Sequence, residues 1–280
     1  MITTLLRVLA LAFALLASAG AHAAITCSIS SAGFAAAYDP ANPLNNVTQT
    51  NFTVTCTRGL ASDPASVSFA VLVDNGLYAT GVNNRAGYLA NRIRYDVFRD
   101  TSCATKWKGA TSIPGTINFV GTGTVVQQFN YWGCILPGQT GLAAGTYTDQ
   151  ITMTMTYGPA PSLTSVGTAA VSIGTPATCS ISAAPGSIVF NYIALGGAVN
   201  PSTSYGVTCT YALPYSMALD VTSATLVGLN YTLALSNPSS VGTGAQQTFS
   251  INGAMAAGQA GTCAAGACTG SRVHSITITY

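Results

Sequence analysis

The residue type in this 280-residue chain with the clearest capacity for chemistry is cysteine. Its members are Cys27, Cys56, Cys103, Cys134, Cys179, Cys209, Cys263 and Cys268. No two form a Cys-x-x-Cys pair, and beyond His22 the sole histidine is His274, so a Cys/His zinc set cannot be assembled. No metal and no cofactor is expected. The remaining ionisable inventory is thin: 6% of residues are charged, and the seven acidic residues are all aspartates. A Ser-His-Asp triad would have to use His274, which is in phase with Ile276 and Ile278 and reads as strand packing. Asp96 and Asp100 are the closest carboxylates, but they alternate with Arg94 and Arg99 as a solvated face would. The chain is therefore not expected to be an enzyme, and no catalytic residue is assigned. A formal net charge of +2 gives no field strong enough to gather nucleic acid.

An even cysteine count suits disulfides in an exported protein, and the N-terminus supports export. Arg7 supplies the positive n-region, positions 8–17 are apolar, and Ala21-His22-Ala23 is a small-residue cleavage site. Residues 1–23 are expected to be a signal peptide, with export through the periplasm to the cell surface.

Positioning the cysteines falls to strands. In Ile151-Thr-Met-Thr-Met-Thr-Tyr157 apolar residues alternate with threonine, so successive side chains point to opposite faces of a sheet. The closing Ile276-Thr-Ile-Thr-Tyr280 repeats that pattern. Thr26-Cys-Ser-Ile-Ser30 recurs at 178–182, and Val54-Thr-Cys-Thr57 recurs at 207–210. Three landmarks in the same order indicate one module used twice, over 24–157 and 178–280, with 158–177 as linker. Cys27 and Cys56 share phase with apolar neighbours, as does Cys209, so inter-strand bridges Cys27–Cys56 and Cys179–Cys209 are expected. Loops of this length make each bridge worth about 3–4 kcal/mol. The remainder gives Cys103–Cys134 and Cys263–Cys268. Eight cysteines allow about a hundred connectivities, and the repeat alone supports this one.

Further alternating runs stop at Asp74-Asn75-Gly76, Asn237-Pro238 and Asn252-Gly253, all read as turns. Many short strands with frequent turn signals indicate β-sandwiches. Module one also carries Arg58, Arg85, Arg92, Arg94, Arg99, Lys106, Lys108 and both tryptophans, Trp107 and Trp132. Module two has only Asp220 and Arg272. Variable recognition is expected in the first.

These residues resemble the spore coat protein U domains that form subunits of archaic (Csu-type) chaperone–usher pili. The resemblance is carried in module one by Cys27-Ser-Ile-Ser, Phe34 with Tyr38-Asp-Pro40, Val54-Thr-Cys56 and Ile93–Phe98 running to Trp107. Tyr131-Trp-Gly133, Pro137-Gly-Gln139 and Ala144-Gly-Thr-Tyr-Thr-Asp149 continue it. In module two it is carried by Cys179-Ser-Ile-Ser, Val207-Thr-Cys209, the run from Met255 to Cys263, and Ile276–Tyr280. Module two lacks the Ala-Gly-Thr-Tyr-Thr-Asp turn and has the Cys263/Cys268 segment instead.

The resemblance implies an all-β chain of two immunoglobulin-like β-sandwiches in tandem, the second lacking its final strand. It also implies three partners: a periplasmic chaperone, an outer-membrane usher, and an adjacent pilin subunit that donates a strand to an open sheet edge. Only Ala24, Ile25 and Thr26 would precede Cys27 in the mature chain, so the protein is expected to accept a strand and not to donate one, at the fibre tip. Leu163, Gly167, Ala169, Val171 and Ile173 lie in strand register and are expected to complete module one from within the chain; a flexible Gly/Ser/Thr/Pro linker is the alternative. Ile276, Ile278 and Tyr280 would then form the acceptor edge of module two. Leu44, Leu77, Tyr78, Tyr131 and Trp132 are the candidates for surface-binding loops, because large apolar residues in turns fall outside the core pattern. The basic stretch from Arg85 to Lys108 is an alternative contact for an acidic glycan, with a solvated face as the simpler reading. The expected role is that of a tip adhesin attaching cells to host or abiotic surfaces and supporting biofilm. The rival is a secreted structural coat or matrix protein.

Overall fold

The structure is a computed structural model, described here for residues 25–40, 42–263 and 268–280. The leader and its cleavage site lie outside the described residues. Ten strands precede residue 176: β1 (Thr26–Ser31), β2 (Phe34–Ala37), β3 (Asn46–Arg58), β4 (Ser66–Val73), β5 (Asn84–Tyr88), β6 (Asn91–Phe98), β7 (Ile113–Asn118), β8 (Gly123–Ile135), β9 (Gly145–Tyr157) and β10 (Leu163–Thr175). Eight follow: β11 (Cys179–Ala183), β12 (Ser202–Cys209), β13 (Pro214–Leu219), β14 (Ser223–Leu226), β15 (Leu229–Leu235), β16 (Ser239–Val241), β17 (Gln246–Met255) and β18 (Ile276–Thr279). No helix occurs among the described residues. The chain is all-β, two immunoglobulin-like sandwiches in tandem.

Alternation decides which side of each strand faces inward. In β3, Phe52, Val54 and Cys56 are fully buried between threonines, and in β9 Tyr147, Ile151, Met153 and Met155 are buried in the same way. One layer of module one runs β1-β3-β8-β6-β5, and the other joins β7, β4, β9, β10 and β2. The layers meet over an aromatic centre. Phe52 lies 5.3 Å from Trp107, Phe69 meets Phe129 edge-on at 5.1 Å, and the Trp107 indole donates to the Val71 carbonyl at 2.8 Å.

β10 is the strand that closes this module. It pairs antiparallel with β9 along all 13 of its residues, from Leu163↔Tyr157 to Thr175↔Gly145. Its other edge pairs parallel with β2, from Val171↔Phe34 to Gly174↔Ala37. Ala169, Val171 and Ile173 enter the core, whereas Leu163 at its start stays exposed. Gly33, at φ 78°, turns the chain from β1 into β2 so close to β10 that a Cβ would sit 1.6 Å from the Ala170 carbonyl oxygen.

Module two repeats the plan with sheets β11-β12-β17-β15-β14 and β16-β13-β18. Cys27 pairs with Cys56 and Cys179 with Cys209, directly opposite in register, with Cα atoms 4.1 Å apart in both bridges. Cys103–Cys134 ties the loop after β6 to β8, and Cys263 is bonded to Cys268. Two turn readings change. Asn252-Gly253 lies inside β17, where the glycine makes room for the Phe190 ring, 2.6 Å from where a Cβ would sit. Gly133 in β8 does the same for Phe34, also at 2.6 Å. Asp74-Asn75-Gly76 opens a loop reaching to residue 83 in place of a tight hairpin, because the Asp74 carboxylate accepts from Gly76 N and Thr152 N.

The weight carried by β10 can be measured. Burying Val171 and Ile173 stabilises module one by about 3–6 kcal/mol, a large share of the ~5–15 kcal/mol typical of a whole domain. Ile173→Ala should therefore cost about 2–4 kcal/mol in urea denaturation. A 25–157 fragment should lose the cooperative transition that a 25–175 fragment keeps.

Candidate functional site

Two places in the fold combine open backbone or exposed apolar side chains with rigid support. The first is the outer edge of β18. This strand corresponds to the end of β9, and it pairs with β13 from Ser216↔Thr279 to Leu219↔Ile276. In module one the corresponding β4–β9 pair has β10 on the far side; among the described residues β18 has no strand there.

A set of shared contacts establishes the correspondence. Gln139 donates its backbone N–H to the Tyr38 hydroxyl at 2.9 Å, and Gln259 does the same to Tyr192 at 2.9 Å. The Gln139 side chain clamps Arg94 N and O, and the Gln259 side chain clamps Asn230 N and O. The chain leading to Tyr38 is strand β2, seated against β10. The chain leading to Tyr192 forms no strand, and Ile188, Phe190 and Tyr192 rest half-exposed on the core, as do Ile276 and Ile278 of β18. Val189 and Ile193 face solvent. The space that β10 occupies in module one is thus bordered in module two by apolar side chains and an unpaired strand edge.

The start of β18 is held from the other side. Tyr231 Oη lies 2.6 Å from His274 Nε2, and His274 Nδ1 lies 3.1 Å from an Asp220 oxygen. Desolvation pushes the Asp220 carboxyl up, but hydrogen bonds from His274 and Val221 N outweigh it and hold it below the usual carboxylate range. This Asp-His-Tyr row ties β18 to β15, and it ends in a phenol packed against the imidazole ring. It is a structural brace.

The second place is the end of module one remote from Thr175, where β10 runs on toward module two. There Arg58 is buried and donates four hydrogen bonds to main-chain carbonyls. Nε and Nη2 reach Asp63 O at 3.0 and 2.5 Å, Nη2 reaches Ala61 O at 2.7 Å, and Nη1 reaches Gly121 O at 3.0 Å. Asp63 in turn accepts from Leu60 N at 2.9 Å. One guanidinium therefore fixes two loops, 59–65 and 119–122, and these loops present Leu60 and Val120 to solvent. An always-charged fork with five donors suits three converging carbonyls as no lysine could.

The loop candidates named from sequence are not gathered at that end. Leu44 is 71% and Leu77 69% exposed, and both lie away from the Arg58 clamp, beside the start of β3 and beside β9 respectively. Leu77 N donates to Asp149 Oδ1 at 2.8 Å, and Tyr95 Oη donates to Asp149 Oδ2 at 2.6 Å. Burial pushes the Asp149 carboxyl up against the pull of those bonds, and burial followed by Asp149 pushes the Tyr95 phenol far above its ordinary value. Tyr78 packs over Gly87. Tyr131 and Trp132 are not loop residues: both belong to β8, with Tyr131 wholly buried against Trp107 at 5.2 Å and Trp132 half-buried. Their phase in an unbroken strand decides this. Leu60 and Val120 are not among the sequence candidates, although Val120 before Gly121 obeys the same rule that singles out Leu44. Among the described residues there is no cluster of metal-binding side chains.

The family model for the spore coat protein U domain matches residues 12–154. The chain belongs to that family. The match ends before β10, so module two is read as a spore coat U module through the internal repeat. Membership of this family agrees with the expectation that the chain is not an enzyme. No curated protein matches the chain. Among solved structures, the chaperone–tip adhesion subunit pre-assembly complex from archaic chaperone–usher Csu pili of Acinetobacter baumannii is 13% identical. It covers 91% of this chain and 100% of its own, with a TM-score of 0.46. The CupB6 tip adhesin from Pseudomonas aeruginosa is also 13% identical, covering 91% of this chain and 95% of its own at a TM-score of 0.42.

The clamp makes a sharp prediction. Arg58→Met should cost module one about 2–4 kcal/mol by orphaning three carbonyls around a lost cation. Limited proteolysis should then cut first within 59–65 and 119–122, while module two melts unchanged.

Proposed function

We propose that this spore coat U protein is the tip subunit and adhesin of an archaic-type chaperone–usher pilus. Residues 24–157 with the strand from 158–177 form the adhesive domain, and 178–280 form the pilin domain. Module two accepts a strand from an adjacent pilin along β18, after a periplasmic chaperone has covered the same edge and an outer-membrane usher has received the complex. The observation that carries this reading is the contrast between β9, closed by β10 in the same chain, and β18, which among the described residues has no strand on the same side. Strand addition at such an edge takes its affinity from backbone hydrogen bonds and its selectivity from alternate side chains in the groove. The Arg58-clamped end then faces away from the fibre, and Leu60 and Val120 meet the host or abiotic surface, supporting attachment and biofilm formation. Small apolar contacts repeated over many fibre ends suffice for adhesion by avidity.

The rival is a secreted coat or matrix protein built from the same sandwiches. Immunogold labelling of intact surface pili separates the two. Gold confined to fibre ends is expected; gold along the shafts or in matrix excludes the tip position. On the same cells, Leu60→Asn with Val120→Asn should reduce attachment to an apolar surface several-fold while the number of labelled pili stays constant. Attachment equal to that of the unaltered protein would remove these two side chains from the contact.

A further inference from the structure

We infer that the β5–β6 hairpin of module one is a binding site for an acidic polysaccharide, one bearing carboxylate or sulfate groups. Arg85 and Arg94 stand directly opposite each other in the β5–β6 ladder, and Arg92 lies two residues from Arg94 on the same face. Like charges placed directly across a ladder are destabilising. The ion pairs found among the described residues join Lys106 and Lys108 to Asp96 and His274 to Asp220, and none involves Arg85, Arg92 or Arg94. Neutral groups aim two of the guanidiniums. Arg85 Nε donates to Tyr78 O at 3.3 Å, and Arg92 Nη1 donates to Leu89 O at 2.9 Å and Asn91 O at 2.7 Å. Arg92 also lies 4.5 Å from the centre of the Tyr78 ring. Together the three arginines border a shallow depression of about 360 Å³ whose other wall is Leu136–Gln139 with Leu142.

Module two serves as an internal control. The same glutamine clamp that holds Arg94 holds Asn230 there, and the residue opposite Asn230 is Thr225. Those two side chains are hydrogen-bonded to each other at 2.8 Å. The fold at this position is therefore satisfied by a neutral pair, and module one keeps a repelling cationic pair in its place. Planar guanidinium forks match carboxylate and sulfate oxygens two at a time, and a bound oxyanion would remove the repulsion. The chain as a whole has nine basic and seven acidic residues, too even a balance for the broad field that nucleic-acid binding draws on. A localised cluster beside an aromatic ring suits sugar units carrying single anionic groups. This site lies on the flank of module one, away from the Arg58-clamped end, and does not require the fibre reading.

The test grafts the module-two pair onto module one. Purified full chain and its Arg85→Thr/Arg94→Asn variant are titrated against heparin, alginate, neutral dextran and duplex DNA at two salt concentrations. Heparin or alginate should bind the unaltered chain, more weakly at high salt, and the variant about tenfold or more weaker, in line with losing at least one charge-assisted pair. Thermal melting of the variant should be unchanged or higher, since a repulsion has been removed. Any of four results overturns the proposal: no binding of either acidic polysaccharide, equal binding of dextran, DNA bound as tightly as heparin, or a variant that binds as the unaltered chain does. A melting point lowered by several degrees would make the arginine pair structural and would overturn it as well.

Discussion

A β-sheet that ends over an apolar core must be covered twice at its last strand, once along the backbone and once over the side chains. Every unpaired N–H and C=O on that strand is a site for another strand, and every apolar side chain beneath it loses the benefit of burial. In module one β10 meets both needs, with its backbone on β9 and with Ala169, Val171 and Ile173 in the core. Much of the neighbouring structure follows from its position. β2 exists as a strand because β10 gives it an edge to pair with, and Gly33 is needed because the turn into β2 brushes the β10 backbone. In module two the stretch that leads to Tyr192 reaches the same tyrosine contact without becoming a strand, and among the described residues no counterpart of β10 pairs with it.

Two copies of one module in one chain separate what the fold requires from what it tolerates. Both copies keep the cystine between the first two strands of the sheet, the ring packed over a strand glycine, and the glutamine that bonds a tyrosine hydroxyl and clamps the neighbouring strand. Those features serve packing. What module one has in addition is concentrated in its loops and on one hairpin. The buried Arg58 holds two loops by their carbonyls, Asp149 holds the Leu77 loop, and Arg85 and Arg94 face each other without an acid between them. Spending stability on such groups suits the proposed division of labour, in which module one carries recognition and module two the attachment to a fibre.

Much of this was legible from residue order. Alternation in Ile151–Tyr157 and in Phe52–Cys56 states which side chains face inward, because strand geometry has a strict period of two. The repeat paired Cys27 with Cys56 and Cys179 with Cys209, since cysteines at matching places on neighbouring strands fall opposite each other. Legibility failed where a residue's meaning depends on a distant partner. Asn252-Gly253 has the composition of a turn, but the Phe190 ring needs a glycine inside a strand there. Tyr131 and Trp132 look like a loop pair beside Gly133, yet that glycine serves Phe34 across the sandwich. Leu60 follows Arg58 by two residues, but Val120 owes its place beside it to the bond from Arg58 to Gly121 O, made across 63 residues of sequence.

By itself the sequence determined the strands, their inward faces, the duplication and the bridges joining matching positions, all of which follow from local periodicity and from repetition. Only the tertiary structure decided which edges are covered, which loops share an end, and which like charges meet across a ladder. Those outcomes are set by pairing between segments far apart in the chain, where register and neighbour are fixed by the competition of whole strands for one sheet. The alternating run from Leu163 to Ile173 illustrates the division. Its pattern is that of a strand, and its place between β9 and β2 is a property of the assembled core.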